Sequence, residues 1–339
     1  MAVKTKTEAP ARNVLLPIVQ DGRIGYINRE GKIVLSPQFA GFENGSGRVA
    51  GVTSLYRFHE GMAAVRIGDK WGYIDTDGTI AIDPDYDGAG PFREGAAPVM
   101  LEDKWGYTDK SGKISINPQF ERAGVFNFGF ASVRSEGKWG FIDHEGSFLV
   151  RPQFEDVGGT AWPITSHPSQ ITGHFSEDFA AVQVGARWGY VDKSGTLVIN
   201  PQFERATSFY EGLAGVQMGR VWGFIDKKGD VVVNPQFEDL GGFGDRLAPV
   251  KSDGKWGFID KTGAYVDRPQ FEDAFSFYEG LAAVKFDGRW GYVDRSGAYT
   301  IHPRFDEAGN FENGFAPVRL AEGWGYIDKE GKFIWNPTS

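Results

Sequence analysis

Residues 277 to 308 read FYEGLAAVKFDGRWGYVDRSGAYTIHPRFDEA, and variants of this stretch recur along the whole chain. Its Trp-Gly pair has counterparts beginning at Trp71, Trp105, Trp139, Trp188, Trp222, Trp256, Trp290 and Trp324. The interval is 34 residues throughout, except for 49 between Trp139 and Trp188, and a degenerate copy begins 47 residues before Trp71, at Ile24. A proline follows each of the nine positions by 13 residues. This period predicts nine tandem units.

Turn residues divide the quoted unit into short strands. The apolar run from Leu281 ends at Asp287-Gly288, a pair that favours a tight hairpin turn. The returning strand ends at Asp294, three residues before Gly297, which fits an Asx turn closed by glycine. A third strand is predicted to stop at the proline, because proline cannot donate to a central ladder. Each unit is therefore predicted to be a three-stranded antiparallel meander followed by an irregular return segment.

Both faces of these strands are apolar, so both must be covered. Leu281 and Ala283 point to one side and Ala282 and Val284 to the other. Stacked neighbouring units can cover both faces. Because the chain starts on a first strand and ends just after a third, no exchanged strand is evident to seal a ring. The predicted fold is all-β and open, solenoid-like, with a closed β-propeller-like array as the alternative.

The predicted domain layout follows from the same register. Residues 1–12 are predicted to be a disordered N-terminal segment, and residues 13–337 form the repeat array. Two insertions interrupt it, at about residues 40–57 and 156–174. A row of glutamates after P-Q-F and a row of basic residues before Trp, such as Glu155 and Lys138, predict ion pairs between units.

The core K-W-G-[YF]-[IV]-D-x-x-G, followed by P-Q-F-E, resembles the WG (KWG) repeat of bacterial proteins. The resemblance extends from about Val14 to Pro337. It implies a bacterial β-repeat protein, but it brings no shared activity and no catalytic residue. Function therefore has to be argued from the sites themselves.

Composition excludes several functional classes. The net charge of −9, without a long basic run, argues against a nucleic-acid partner. The absence of cysteine excludes disulfides and cysteine-ligated metals. The apolar runs are far shorter than the roughly 18 residues that span a bilayer, so no membrane insertion is expected. No apolar leader segment precedes Val14, which predicts a cytoplasmic protein.

The recurring side chains are predicted to be structural. Rows of aromatic residues can stack on sugars, but a tryptophan at one fixed register more simply fills the interface between units. The five histidines occupy unrelated repeat positions, and only His167 and His174 are close in sequence. No catalytic residue, metal ligand or cofactor site is therefore predicted, and the chain is not expected to be an enzyme.

The second insertion is the candidate binding site. It contains a tryptophan that no other unit has, and insertions in repeat arrays tend to share the binding face. The residues predicted to bind are Trp162, Pro163, Ile164 and His167. A disordered spacer is the simpler alternative for this loop. The predicted function is a non-catalytic protein–protein interaction scaffold of unknown partner, and the alternative is a glycan or cell-wall binding module, since short aromatic β-hairpin repeats also occur in choline-binding proteins.

Overall fold

A computed structural model describes residues 14–40, 56–157, 175–321 and 323–338. Within these ranges the chain is all-β and forms nine three-stranded antiparallel meanders, which confirms the predicted unit. We number the meanders units 1 to 9. They form eight hydrogen-bonded sheets, because units 1 and 2 are joined by one residue pair, Ala40 with Arg66. No helix in the described ranges has the length and apolarity to cross a bilayer.

The strands recur at equivalent positions. The first strands are Leu16–Gln20, Met62–Ile67, Ala96–Leu101, Ala131–Ser135, Phe179–Val184, Leu213–Met218, Leu247–Ser252, Leu281–Phe286 and Ala316–Leu320. The second strands are Arg23–Ile27, Lys70–Asp75, Lys104–Asp109, Lys138–Ile142, Arg187–Asp192, Val221–Asp226, Lys255–Asp260, Arg289–Asp294 and Gly323–Ile327. The third strands are Ile33–Ala40, Ile80–Tyr86, Ile114–Phe120, Phe148–Phe154, Leu197–Phe203, Val231–Phe237, Tyr265–Phe271, Tyr299–Phe305 and Phe333–Thr338.

A short fourth strand follows the third strand in most units and pairs with the free edge of the next first strand. These short strands are Gly88–Ala89, Arg122–Ala123, Arg205–Ala206, Asp239–Leu240, Asp273–Ala274 and Glu307–Ala308. Two residues of the segment predicted to be an irregular return therefore join the sheet in each of these units.

The third strand does not stop at the proline, contrary to the prediction. In unit 6, Phe224 pairs with Val233 and Trp222 pairs with Phe237, so the third strand bulges between these pairs and then resumes. The bulge places Pro235 against the glycine of the Trp-Gly pair, Gly223, where a Cβ would lie 2.5 Å from a backbone oxygen and 2.7 Å from the proline nitrogen. The bulge thus explains the glycine of the Trp-Gly pair, because any side chain at this position would collide with the bulged strand.

The Asx turn between the second and third strands is confirmed. In unit 5, one carboxylate oxygen of Asp192 accepts the N–H of Ser194 at 2.9 Å and the N–H of Thr196 at 3.0 Å. Gly195 follows with φ of 80°. The aspartate row therefore closes turns.

The first strands are buried on both faces, as predicted. In unit 8, Ala282 and Val284 belong to an apolar cluster shared with unit 7, whereas Leu281 and Ala283 belong to one shared with unit 9. Each of the four side chains is at most 8% exposed. Adjoining units therefore supply the cover that a single meander lacks.

The array is a closed ring of the β-propeller type, and the predicted open solenoid-like array is wrong. Leu16 and Ile18 of unit 1 share an apolar cluster with Phe315 and Tyr326 of unit 9. The Tyr326 hydroxyl donates to the Pro17 carbonyl at 2.8 Å. The open form was predicted because no exchanged strand was evident, but a ring sealed by side-chain packing needs none.

Inside the ring, the equivalent tyrosines donate to the segment that precedes the next first strand. The Tyr292 hydroxyl of unit 8 donates to the Gly309 carbonyl of unit 9 at 2.8 Å, and Tyr107 makes the same bond to Gly124 at 2.8 Å. The acceptor at the seam, Pro17, lies instead within the first strand of unit 1, so the seam uses a tyrosine of the same register with a different carbonyl.

The predicted ion pairs form, but within units rather than between them. Lys138 at the start of a second strand lies 2.6 Å from Glu155, which follows the third strand of the same unit. Lys70 and Asp87 are 2.5 Å apart in the equivalent positions. These exposed pairs hold the end of the third strand against the second and contribute little individually.

Candidate functional site

The residues predicted to bind a partner, Trp162, Pro163, Ile164 and His167, lie outside the described residues. So do residues 1–12 and most of both insertions. The described chain stops at Val157 and resumes at Phe175, and both of these side chains are buried in one apolar cluster. The second insertion therefore begins and ends in the core at the junction of units 4 and 5.

None of the eight repeat tryptophans is exposed. Four are buried, at 6% or 7% exposure: Trp139, Trp222, Trp256 and Trp290. The other four are half-buried: Trp71, Trp105, Trp188 and Trp324. Trp222 belongs to a cluster that includes Leu240 and Phe243 of the following unit. The tryptophans thus occupy the interface between units and do not form a row that could stack on sugars.

Most of the large apolar side chains that are exposed in the described residues lie in the first two positions of the third strands. Units 4 to 7 each have two such side chains, between 40% and 45% exposed: Phe148, Leu149, Leu197, Val198, Val231, Val232, Tyr265 and Val266. We call these eight residues the apolar rim. The second of the two positions is polar in units 3 and 8, where it holds Ser115 and Thr300. The fold therefore does not require an apolar residue at that position.

A second periodic surface is formed by the turn before each first strand, here called the leading turn. In unit 8 it is closed by the Tyr278 N–H, which donates to the Leu281 carbonyl at 2.9 Å. The carboxylate of Glu279 in this turn accepts the Gly314 N–H of unit 9 at 2.9 Å. Lys329 of unit 9 lies 3.2 Å from the same carboxylate oxygen.

The same arrangement recurs from unit to unit. The carboxylates, which we call the carboxylate ring, are Glu60, Glu94, Glu177, Glu211, Asp245 and Glu279, and they accept N–H groups of Gly95, Gly129, Gly212, Arg246, Gly280 and Gly314 respectively. Burial acts to raise the pKa of Glu211, but hydrogen bonds from Lys261 and from the Arg246 N–H outweigh it and hold the pKa below its usual value. These carboxylates therefore connect successive units through hydrogen bonds to backbone N–H groups.

Phe128 interrupts the carboxylate ring. It occupies the glutamate position in the leading turn of unit 4, with φ of 54°, and is 54% exposed. The Lys193 ammonium of unit 5 lies 5.7 Å from the centre of its ring. A bulky residue in the left-handed region is unusual and often marks a functional position. Sequence reasoning missed it, although Asn127-Phe128-Gly129 is visible as a departure from the Glu-Gly pattern.

Asp267 is a second residue that sequence reasoning missed. It occupies a third-strand position that is apolar in the other units, for example Val233 and Ile301. Gln270 donates to one of its carboxylate oxygens at 2.6 Å, while the other is buried without a hydrogen-bond partner in the described structure. Burial raises the pKa of Asp267. In the sequence, Asp267 could have been found as a charged residue at a repeat position that is otherwise apolar.

A cavity of about 810 Å³ opens where units 1, 2, 3 and 9 meet. Its charged lining includes Arg57, Glu60, Lys110 and Glu312. Arg57 pairs with Glu312, and Lys110 lies 3.0 Å from Glu60, so these charges already have partners. In the described ranges no group of three or more aspartate, glutamate or histidine residues is placed to hold a metal.

Comparison with known proteins supports the repeat assignment. The family described as "WG containing repeat" matches residues 24–44, 53–71, 71–105, 105–139, 139–160, 188–220, 222–256, 256–290 and 290–322. No curated protein shows a significant sequence match.

The ring resembles known structures in shape but not in sequence. A structure described as "Crystal structure of the eukaryotic initiation factor" matches with a TM-score of 0.62 and 8% identity over 95% of each chain. Apo AztD from Citrobacter koseri matches with a TM-score of 0.45 and 10% identity over 95% of this chain and 93% of that one. At these identities the first likeness concerns the fold alone, and the second is too weak to support an argument.

Proposed function

This chain belongs to the WG containing repeat family, and we propose that it is a non-catalytic protein–protein interaction scaffold of the bacterial cytoplasm. The observation that carries the proposal is the apolar rim. Eight exposed apolar side chains occupy the same two strand positions on four successive units, and clustered exposed apolar side chains mark binding sites for other proteins.

The chemistry of the described surface favours binding over catalysis. The carboxylates of the leading turns are engaged by backbone N–H groups, and the charges lining the cavity at the seam are paired. His144 stacks on Phe126 with ring centres 3.9 Å apart and contacts Glu94. The glycan alternative was based on a row of exposed repeat tryptophans, which the described units do not have, so we do not extend the proposal to glycans.

A cytoplasmic location is part of the same proposal. The chain contains no cysteine, so its stability depends on no disulfide and on no oxidising compartment. Its negative net charge suits a soluble partner protein better than a nucleic acid.

Polar substitution of the apolar rim is expected to remove partner binding without loss of stability. The test variant combines Leu149→Thr, Val198→Thr, Val232→Thr and Val266→Thr, because threonine already occupies this position as Thr300. Affinity capture followed by mass spectrometry should show loss of the proteins captured by the unmodified chain, while the melting temperature stays within about 2 °C, as expected for exposed sites.

A matched control places threonine in the same register outside the rim, at Val34 and Ala81 of units 1 and 2. This control should retain the captured proteins. Equal capture by the rim variant and the unmodified chain would show that the rim is not the scaffold's binding surface.

A further inference from the structure

The carboxylate ring repeatedly uses one pair of donors from the following unit. At four junctions, a backbone N–H and a lysine of that unit both contact one carboxylate. In the order carboxylate, N–H donor and lysine, the four sets are Glu60, Gly95 and Lys110; Glu177, Gly212 and Lys227; Glu211, Arg246 and Lys261; and Glu279, Gly314 and Lys329. The lysine nitrogens lie 3.0 to 3.3 Å from the carboxylate oxygens. This donor pair is therefore an anion-binding arrangement that the fold produces at each of these four junctions.

At the junction of units 4 and 5 the donors are present but the carboxylate is not. The equivalent backbone N–H belongs to Asp178, whose φ of 80° keeps the turn geometry of the other units. No acceptor for this N–H is found among the residues that the structure describes. The equivalent lysine, Lys193, lies over the ring of Phe128 and 2.6 Å from the Asp178 carboxylate.

The Asp178 carboxylate is only a weak substitute for the missing glutamate. Its side chain is 68% exposed, against 30% to 35% for the carboxylates that occupy the donor pair at the other four junctions. An exposed pair of this kind contributes little and exchanges readily for another carboxylate. Lys193 is therefore available to a second anion that also reaches the Asp178 N–H.

Phe128 adds an apolar contact beside the vacant carboxylate position. In the units of the carboxylate ring, strain at this left-handed position is offset by the hydrogen bonds of the carboxylate, and phenylalanine makes none of these bonds. An exposed aromatic residue with few rotatable bonds is the kind of side chain that anchors an interface. Strain and exposure are both unfavourable in the isolated chain, and a bound partner relieves the exposure.

We propose that Phe128, the Asp178 N–H and Lys193 form a binding site for an acidic peptide segment of a partner protein. A glutamate or aspartate of the segment occupies the vacant carboxylate position, and a neighbouring apolar side chain packs on Phe128. Residues 158–174 of the chain itself contain no acidic residue, so the adjacent insertion has no carboxylate to offer. This inference rests on the proposed scaffold function and assigns it a partner chemistry at a surface separate from the apolar rim.

The probe is a fluorescein-labelled peptide, Ser-Phe-Tyr-Glu-Gly-Leu, which is the sequence of both residues 208–213 and residues 276–281. Its glutamate corresponds to Glu211 and Glu279, which contact the donor pair at two other junctions. Fluorescence anisotropy should show that the peptide binds to the full chain. A peptide with glutamine in place of the glutamate should bind at least roughly tenfold more weakly, because one charge-assisted contact is lost. Phe128→Glu should abolish binding, because an internal carboxylate then fills the position. Lys193→Met should weaken it by a similar roughly tenfold factor.

Lys329→Met is the matched control, because this lysine already contacts Glu279 and should not affect peptide binding. Phe128→Glu should also melt at a higher temperature than Phe128→Ala, which verifies that the position accepts a carboxylate. The proposal is overturned if the unmodified chain does not bind the peptide at millimolar concentration, if the glutamate and glutamine peptides bind equally, or if Phe128→Glu binds as well as the unmodified chain. None of these outcomes affects the rim experiment, so the scaffold proposal is tested independently of the peptide site.

Discussion

Replacing Trp222 with alanine is expected to lower the free energy of unfolding by about 3 to 5 kcal/mol, as measured by urea denaturation. The side chain is 6% exposed and packs in the interface between units 6 and 7, in one cluster with Leu240 and Phe243. Its removal leaves a cavity between two sheets that each hold their neighbours in place.

Trp188→Ala provides the comparison, because that tryptophan has the same register but is only half-buried. Its loss should cost clearly less than the loss of Trp222. A change of less than about 1 kcal/mol for Trp222→Ala would show that the side chain is exposed in solution. That result would restore the glycan-binding alternative.

Tyr326→Phe is expected to destabilise the protein by about 1 to 3 kcal/mol. The substitution removes the hydroxyl that donates to the Pro17 carbonyl and leaves that carbonyl unsatisfied at the seam between units 9 and 1. The aromatic ring itself is retained, and phenylalanine naturally occupies this register as Phe224 and Phe258. Urea denaturation should therefore report the hydrogen bond with little contribution from packing.

Tyr292→Phe is the control, since its hydroxyl has the same strand register and makes an inter-unit bond to the Gly309 carbonyl inside the ring. In a closed ring the two substitutions should cost similar amounts. If the ends of the array were apart, Tyr326 would face water, and its replacement would have no measurable effect whereas Tyr292→Phe would still destabilise.

The repeating unit could be predicted from sequence because each strand and turn depends on local residues. Asp192 and Gly195 close a turn whatever surrounds them, and the alternating apolar residues of the first strand define two buried faces. The third strand was predicted too short because the rule that proline ends a strand ignores the bulge. The room that Gly223 leaves for Pro235 is a contact between strands, which spacing alone did not reveal.

Closure of the ring was not predictable from one unit, because it depends on the small rotation between successive units summed over nine of them. The contacts at the seam, such as Tyr326 with Pro17, are ordinary inter-unit contacts and have no special sequence signal. The candidate sites differ in this respect. Phe128 and Asp267 break a periodic pattern and were visible in the sequence, but their meaning required the positions of Lys193 and Gln270.

Small-angle X-ray scattering of the monomeric chain tests the closed ring most directly. A closed ring of 339 residues should have a radius of gyration near the value of about 20 Å for a compact domain of this length. An open stack of nine units spaced roughly 10 Å apart would be about 90 Å long and give about 26 Å or more. A value close to 20 Å is expected, and a value of about 26 Å or above would contradict the closed ring.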